Sequence, residues 1–262
     1  MNNDQYNEIL FFFNNYVNGF REKGLPLELE IKINHISRVL DVTKTLCKDL
    51  SLNENEKKIC QSIALMHDIG RFKEYKDIND KGFCNVHHAK YSSDIFKREF
   101  LSVLDKKTFN IINDGIRYHS FLRLPKNIKN ENKKFIKIIR DVDKVDIMTF
   151  YVESVKTGLI NQPLKGFFMD KLEEGPPTNK IIDSVQKRVP IKFKDLRTRS
   201  DCFILYLGWV YQVHFPISLR LIFDRNIIND SIDYLSAYGD YSWLKSDLYQ
   251  YIKGFRLNNR IN

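Results

Sequence analysis

Six side chains able to bind a metal ion or move a proton lie within the first 150 residues: His35, the adjacent pair His67-Asp68, His88, His119 and Asp143. The pair closes an apolar run, Ile63-Ala64-Leu65-Met66, and is followed by Ile69-Gly70-Arg71-Phe72. Burying an imidazole beside a carboxylate is costly unless both are paired or bound to a cation. That setting suits a metal ion better than a core, and the question is whether the rest of the chain supplies further ligands.

Helical spacing says which of these residues can face inward. In the helix expected after Asn53, which with Glu56 resembles a capping box, Cys60, Ile63, Ala64 and His67 recur at i, i+3, i+4 and i+7. His67 therefore points inward, with Asp68 about 100° further round and able to reach the same ion. Gly70 fits the left-handed position that ends a helix. His35 falls in the first turn of a helix expected from about Ile33 to Leu50, at the edge of a stripe of Ile36, Val39, Leu40, Thr43, Leu46, Cys47 and Leu50. A histidine there, taken alone, is more often a cap or core residue than a ligand.

Between Arg71 and Phe83 the periodicity fails, and Asp77, Asn79, Asp80 and Gly82 read as a surface loop. Helical pattern resumes at Val86-His87-His88-Ala89 and runs towards Phe100; of the two adjacent histidines, one at most can serve a site. Asp105 caps a helix in which Phe109, Ile112, Ile116 and His119 share a face. In a helix over roughly Lys133 to Thr157, Asp143 shares the stripe of Ile136, Ile139 and Ile147. Asp141, about 200° away, is assigned to an exposed face, and Asp146, about 60° from Asp143, to its support.

The remaining elements frame these. Ile9, Phe12, Phe13, Tyr16 and Phe20 mark an N-terminal packing helix. Beyond Gly158 a loop-rich connection punctuated by Gly166, Gly175-Pro176-Pro177 and Pro190 leads to helices around Ser200 to Val213, Pro216 to Phe223, Ile227 to Tyr238 and Tyr241 to Phe255. Phe203, Tyr206 and Trp209 read as core, and His214 as structural. With no repeat and no strand series, the expected fold is all-α: one domain over residues 1–262, a metal-binding core at 33–157 and a helical C-terminal extension at 158–262.

The 262 residues can bury a full core. The net charge of +9 is spread as solvated helix faces and is compatible with steering an anionic substrate. Cys47, Cys60, Cys84 and Cys202 show no C-x-x-C spacing, which argues for reduced thiols in a cytoplasmic protein. No export signal or membrane anchor is visible, and no pattern favours nucleic acid. A homo-oligomer is compatible with all of this.

Taken in order, His35, His67-Asp68 and Asp143 resemble the H, HD and distant D of the HD-domain metal-dependent phosphohydrolases. His-Asp-Ile-Gly-Arg-Phe is similar to one bacterial subgroup, and Asp141-Val142-Asp143-Lys144 looks like the family's closing motif. The resemblance spans roughly Asn34 to Phe150. It implies an HD-domain helical bundle with N- and C-terminal helical extensions and metal ligands His35, His67, Asp68 and Asp143. One divalent transition ion, Mn, Fe, Ni or Zn, is expected, with His88 and His119 either binding phosphate or holding a second ion. Such an ion acidifies water, so that hydroxide is available near neutral pH.

The expected activity is hydrolysis of a phosphoester or phosphoanhydride of a nucleotide or small phosphorylated metabolite. Asp68, His88, His119 and Lys144 would be catalytic; Arg71, His88, Arg117, His119 and Lys144 would hold the phosphate oxygens. The phosphodiesterases' Gly-Tyr-Pro signature is absent after His119, where Ser120-Phe121-Leu122-Arg123-Leu124-Pro125 stands. The alternatives are a di-iron oxygenase on the same fold and a noncatalytic regulatory or nucleic-acid-binding HD protein.

Overall fold

The computed structural model of the protein describes residues 1–22, 24–81, 86–162 and 172–258. Gly82, Phe83, Cys84 and Gly166, named above, lie outside the described residues. The chain is all-α: among the described residues there is no strand, and one isolated parallel bridge joins Glu173 to Thr198. It divides into two compact units, Met1–Asp143 and Lys144–Asn262.

The first unit holds α1 (Asn3–Arg21), α2 (Leu27–Asp49), α3 (Glu54–Met66), α4 (Gly70–Lys81), α5 (His88–Phe100), α6 (Lys106–Tyr118) and the start of α7 (Asn130–Lys156). Local chemistry sets the helix starts. Asn2 with Gln5 and Asn53 with Glu56 form reciprocal capping boxes, and the Asp105 carboxylate accepts from the amides of Lys107 and Thr108. The middle of the unit is α3, which packs on α1, α2 and α6. Its buried side chains, among them Ile59, Ile63, Ala64 and Met66, cover more than one face of the helix. Gly115 permits the α3–α6 contact, because a Cβ there would lie 2.6 Å from Ile63 Cδ1.

Several local expectations change. The α2 helix begins at Leu27, capped from Pro26, so His35 stands in the third turn instead of the first. Leu29, Ile31 and Ile33 are buried there and extend the apolar face back to the proline. The stretch read as a loop after Arg71 is α4, held by buried Phe72 and by Asp77, which accepts from the Tyr91 hydroxyl on α5. Its polar composition hid it, since only Gly70, Phe72 and Asp77 are buried among its residues. Gly70 is not left-handed, for it opens α4. Asp141 is fully buried, not exposed. Arg140, Lys144 and Asp146 are buried on the same helix, and a helix covered on several sides carries no polar face for the periodicity to find.

The second unit contains the end of α7, then α8 (Asn179–Gln186), α9 (Arg199–Gly208), α10 (Pro216–Asp224), α11 (Ile227–Leu235) and α12 (Ser242–Asn258). The α8 helix lies inside the connection read as loop-rich. Its neighbour α9, buried from Ser200 to Leu207, packs on both α8 and α11. Phe203, Tyr206 and Trp209 are core residues, Tyr206 stacking on Tyr151 with ring centres 4.6 Å apart. Among the described residues no helix is long and apolar enough to cross a membrane.

Candidate metal centre

Two helix ends use one device to aim a histidine. His67 is the C-cap of α3 and His119 the C-cap of α6. In each, ring Nδ1 donates to the carbonyl three residues back, Ala64 at 2.8 Å and Ile116 at 2.7 Å. A carbonyl can only accept, so in the neutral ring Nε2 is left with its lone pair. Helix C-termini also carry partial negative charge, which favours a cation where these rings point. His35 enters from α2, His88 is the first residue of α5, and Asp143 lies on α7.

The ligand atoms converge in two groups that share Asp68. In the first, His35 and His67 bring their Nε2 atoms to 3.2 Å, Asp143 Oδ1 stands 3.2 Å from His35 Nε2 and 3.8 Å from His67 Nε2, and Asp68 Oδ2 is 3.8 Å from His35. In the second, the Nε2 atoms of His88 and His119 are 3.2 Å apart, and Asp68 Oδ1 is 3.3 and 3.6 Å from them. These separations suit donors around an ion: with bonds of about 2.1 Å, a tetrahedral edge is about 3.4 Å. Asp68 Oδ1 is buried and makes no hydrogen bond, an arrangement a cation would complete. The donor set of imidazoles and carboxylates fits a divalent transition ion.

The charges fit the same reading. Burial pushes the His67 imidazole down to about 4, against the pull of Asp68 and Asp143, and burial followed by the Arg71 charge holds His88 well below its ordinary value. Both rings are then neutral at pH 7. Burial alone would raise the Asp68 carboxyl, but Arg71, His88, His67 and His119 together hold it well below the usual range. Asp143 is also lowered: burial opposes ionisation, but His35, through its hydrogen bond and charge, outweighs it, helped by His67 and His119. Neutral imidazoles beside ionised carboxylates are the protonation states a metal requires.

Three further residues position the site, and helical spacing alone does not mark them. Ser92 on α5 accepts from the Gly70 amide at 2.8 Å, tying the turn after Asp68 to the helix that carries His88. Glu74 accepts from Arg71 at 2.7 Å, while Arg71 Nε stands 3.5 Å from Asp68 Oδ2. Arg140 donates to the carbonyls of Tyr118, His119 and Phe121, closing the C-terminal end of α6. Of the other expected residues, Arg117 is exposed, its guanidinium 5.9 Å from the Tyr118 ring centre, and is not gathered into this cluster. Lys144, in the second unit, is buried with its ammonium 5.8 Å from the centre of the Trp209 ring. His87 caps α5 and rests against the His88 ring.

No curated protein and no solved structure matches the chain. A family model does: residues 33–148 match the HD domain, and they include all six convergent side chains. By that match, residues 33–148 of the chain carry an HD domain, and within it lie two groups of side chains that could hold a metal ion.

Proposed function

We propose that the protein is a metal-dependent phosphohydrolase in which two groups of side chains that share Asp68 would hold two divalent ions. The carrying observation is that Asp68 offers its two carboxylate oxygens to two different histidine pairs, Oδ2 towards His35 and Oδ1 towards His88 and His119. In this reading His35, His67, Asp68 and Asp143 would hold one ion, and Asp68 with His88 and His119 the other. Bound metal would supply Lewis acidity and acidify water for attack on phosphorus.

The chain's own groups do the rest. The Nδ1 contacts of His67 and His119 hold two rings in a fixed tautomer, so no reorganisation is needed when substrate arrives. Arg71, restrained by Glu74, lies beside Asp68 as the cation for a phosphate oxygen. Lys144 follows Asp143 directly and remains the other expected phosphate cation from the family pattern. The substrate class is a nucleotide or small phosphorylated metabolite.

The test compares the wild type with His67→Ala/Asp68→Ala for bound metal and for phosphate release from nucleotides, alarmones and sugar phosphates. Loss of both metal and release in the double variant is the expected result. Release that survives the substitution would place the activity elsewhere. A di-iron oxygenase would share the bridging carboxylate; colour and oxygen uptake by the iron-loaded protein, with no phosphate released, would favour it instead.

A further inference from the structure

The helix ends that hold the histidines select opposite tautomers. At the C-caps of α3 and α6, His67 and His119 donate from Nδ1 to a carbonyl, which leaves an Nε2 lone pair for a cation. His87 stands at the other kind of end. It is the N-cap of α5, and its Nδ1 accepts from the Ala89 amide at 3.3 Å. A nitrogen that accepts carries no proton, so the neutral ring holds its hydrogen on Nε2. His87 therefore presents a donor where His67 and His119 present acceptors, and its Nε2 cannot bind a metal ion while the cap persists.

The surroundings of that donor suit an anion. The His87 ring lies on the ring of His88, with centres 4.1 Å apart and planes at 36°, and His88 Nε2 is 3.3 Å from Asp68 Oδ1. His88 is buried whereas His87 is exposed, which puts His87 on the solvent side of the second ligand group. It also sits at the N-terminal, positive end of a helix of 13 residues.

We propose that the His87 Nε2–H donates a hydrogen bond to a phosphate oxygen of the substrate at the metal centre. This rests on the phosphohydrolase reading and adds to it a binding residue that lies outside the ligand groups. An N–H that meets an ionised oxygen makes a charge-assisted bond, stronger than one between neutral groups. The bond holds the phosphate, and no proton is transferred.

Two substitutions separate the donor from the cap. Serine caps a helix well but is too short to reach where Nε2 stands, whereas glutamine carries an N–H about as far from the backbone and is not a preferred cap. The metal-loaded full chain is compared as wild type, His87→Ser and His87→Gln, with inorganic phosphate as the calorimetric probe. Metal content, Tm and hydrolysis of p-nitrophenyl phosphate are measured alongside. His87→Ser is expected to keep the metal and the Tm of the wild type and to bind phosphate about tenfold or more weakly. His87→Gln should melt lower yet bind phosphate within about threefold of the wild type. Wild-type phosphate affinity in His87→Ser overturns the proposal, and so does loss of metal in that variant, which would make His87 a support for His88. Equal weakening in both variants, or a wild type that binds no phosphate, overturns it too. In each of these cases hydrolysis by the wild type leaves the phosphohydrolase reading standing. A loaded wild type that neither binds phosphate nor releases it from the ester brings both readings down together.

Discussion

Gly70 lies directly against His88: a Cβ on the glycine would stand 2.3 Å from the His88 backbone oxygen, 2.5 Å from the Ser92 amide nitrogen and 2.8 Å from Ser92 Oγ. Two of these three obstacles are backbone, so no side-chain rotation relieves them. Gly70→Ala is expected to destabilise the protein by about 1–3 kcal/mol and to displace α5, and with it His88, from Asp68. Chemical denaturation with metal analysis checks this; an alanine variant with wild-type stability and metal content would contradict the close approach.

The two ligand groups predict separable metal losses. His119→Ala should lose one equivalent and keep the ion held by His35, His67 and Asp143, whereas Asp68→Ala, lacking the shared carboxylate, should weaken both. Metal-binding titrations on chelator-stripped protein would show one surviving site in the first variant and none of comparable affinity in the second. A wild type that takes up a single equivalent would contradict the bridge.

The metal-free protein should lose stability on acidification. His67 has a folded value of about 4 against about 6.5 in the unfolded chain. Between these values the unfolded state binds the extra proton, so stability falls as pH drops; at pH 5 the loss is on the order of 2 kcal/mol. His88 acts in the same direction. Asp68 and Asp143, held low, contribute stability that is lost only below the ordinary carboxylate range, near pH 4 and under. Melting chelated protein at pH 7 and pH 5 should show a Tm several degrees lower at pH 5, and an unchanged Tm would argue against buried neutral imidazoles.

In the second unit, Asp201 ties two helix starts together. Its carboxylate accepts from the Thr178 amide at 2.7 Å, from the Arg197 amide at 2.8 Å and from the Thr198 amide at 3.2 Å, and it is fully buried. Asp201→Ala strands these donors and should cost about 2–4 kcal/mol. Asp201→Asn should cost less, because its remaining oxygen can still accept while its NH2 group meets a donor. A shift in the denaturation midpoint of the expected order, alanine below asparagine below wild type, is the readout.

The residue types and spacing alone were enough to identify an all-α chain, the inward face of His67 and His119, the caps at Asn53 and Asp105 and the family of residues 33–148, because each depends on periodicity or on a motif a few residues long. Periodicity reports which way a side chain leaves its own helix and nothing about which helices meet. That is why α4, with three buried residues, read as a loop, and why Asp141 read as exposed on a helix covered on several sides. The division of Asp68's oxygens between two histidine pairs and the press of Gly70 on His88 both depend on contacts between elements distant in the chain. Only the packing of α2, α4, α5 and α6 around the end of α3 decides them.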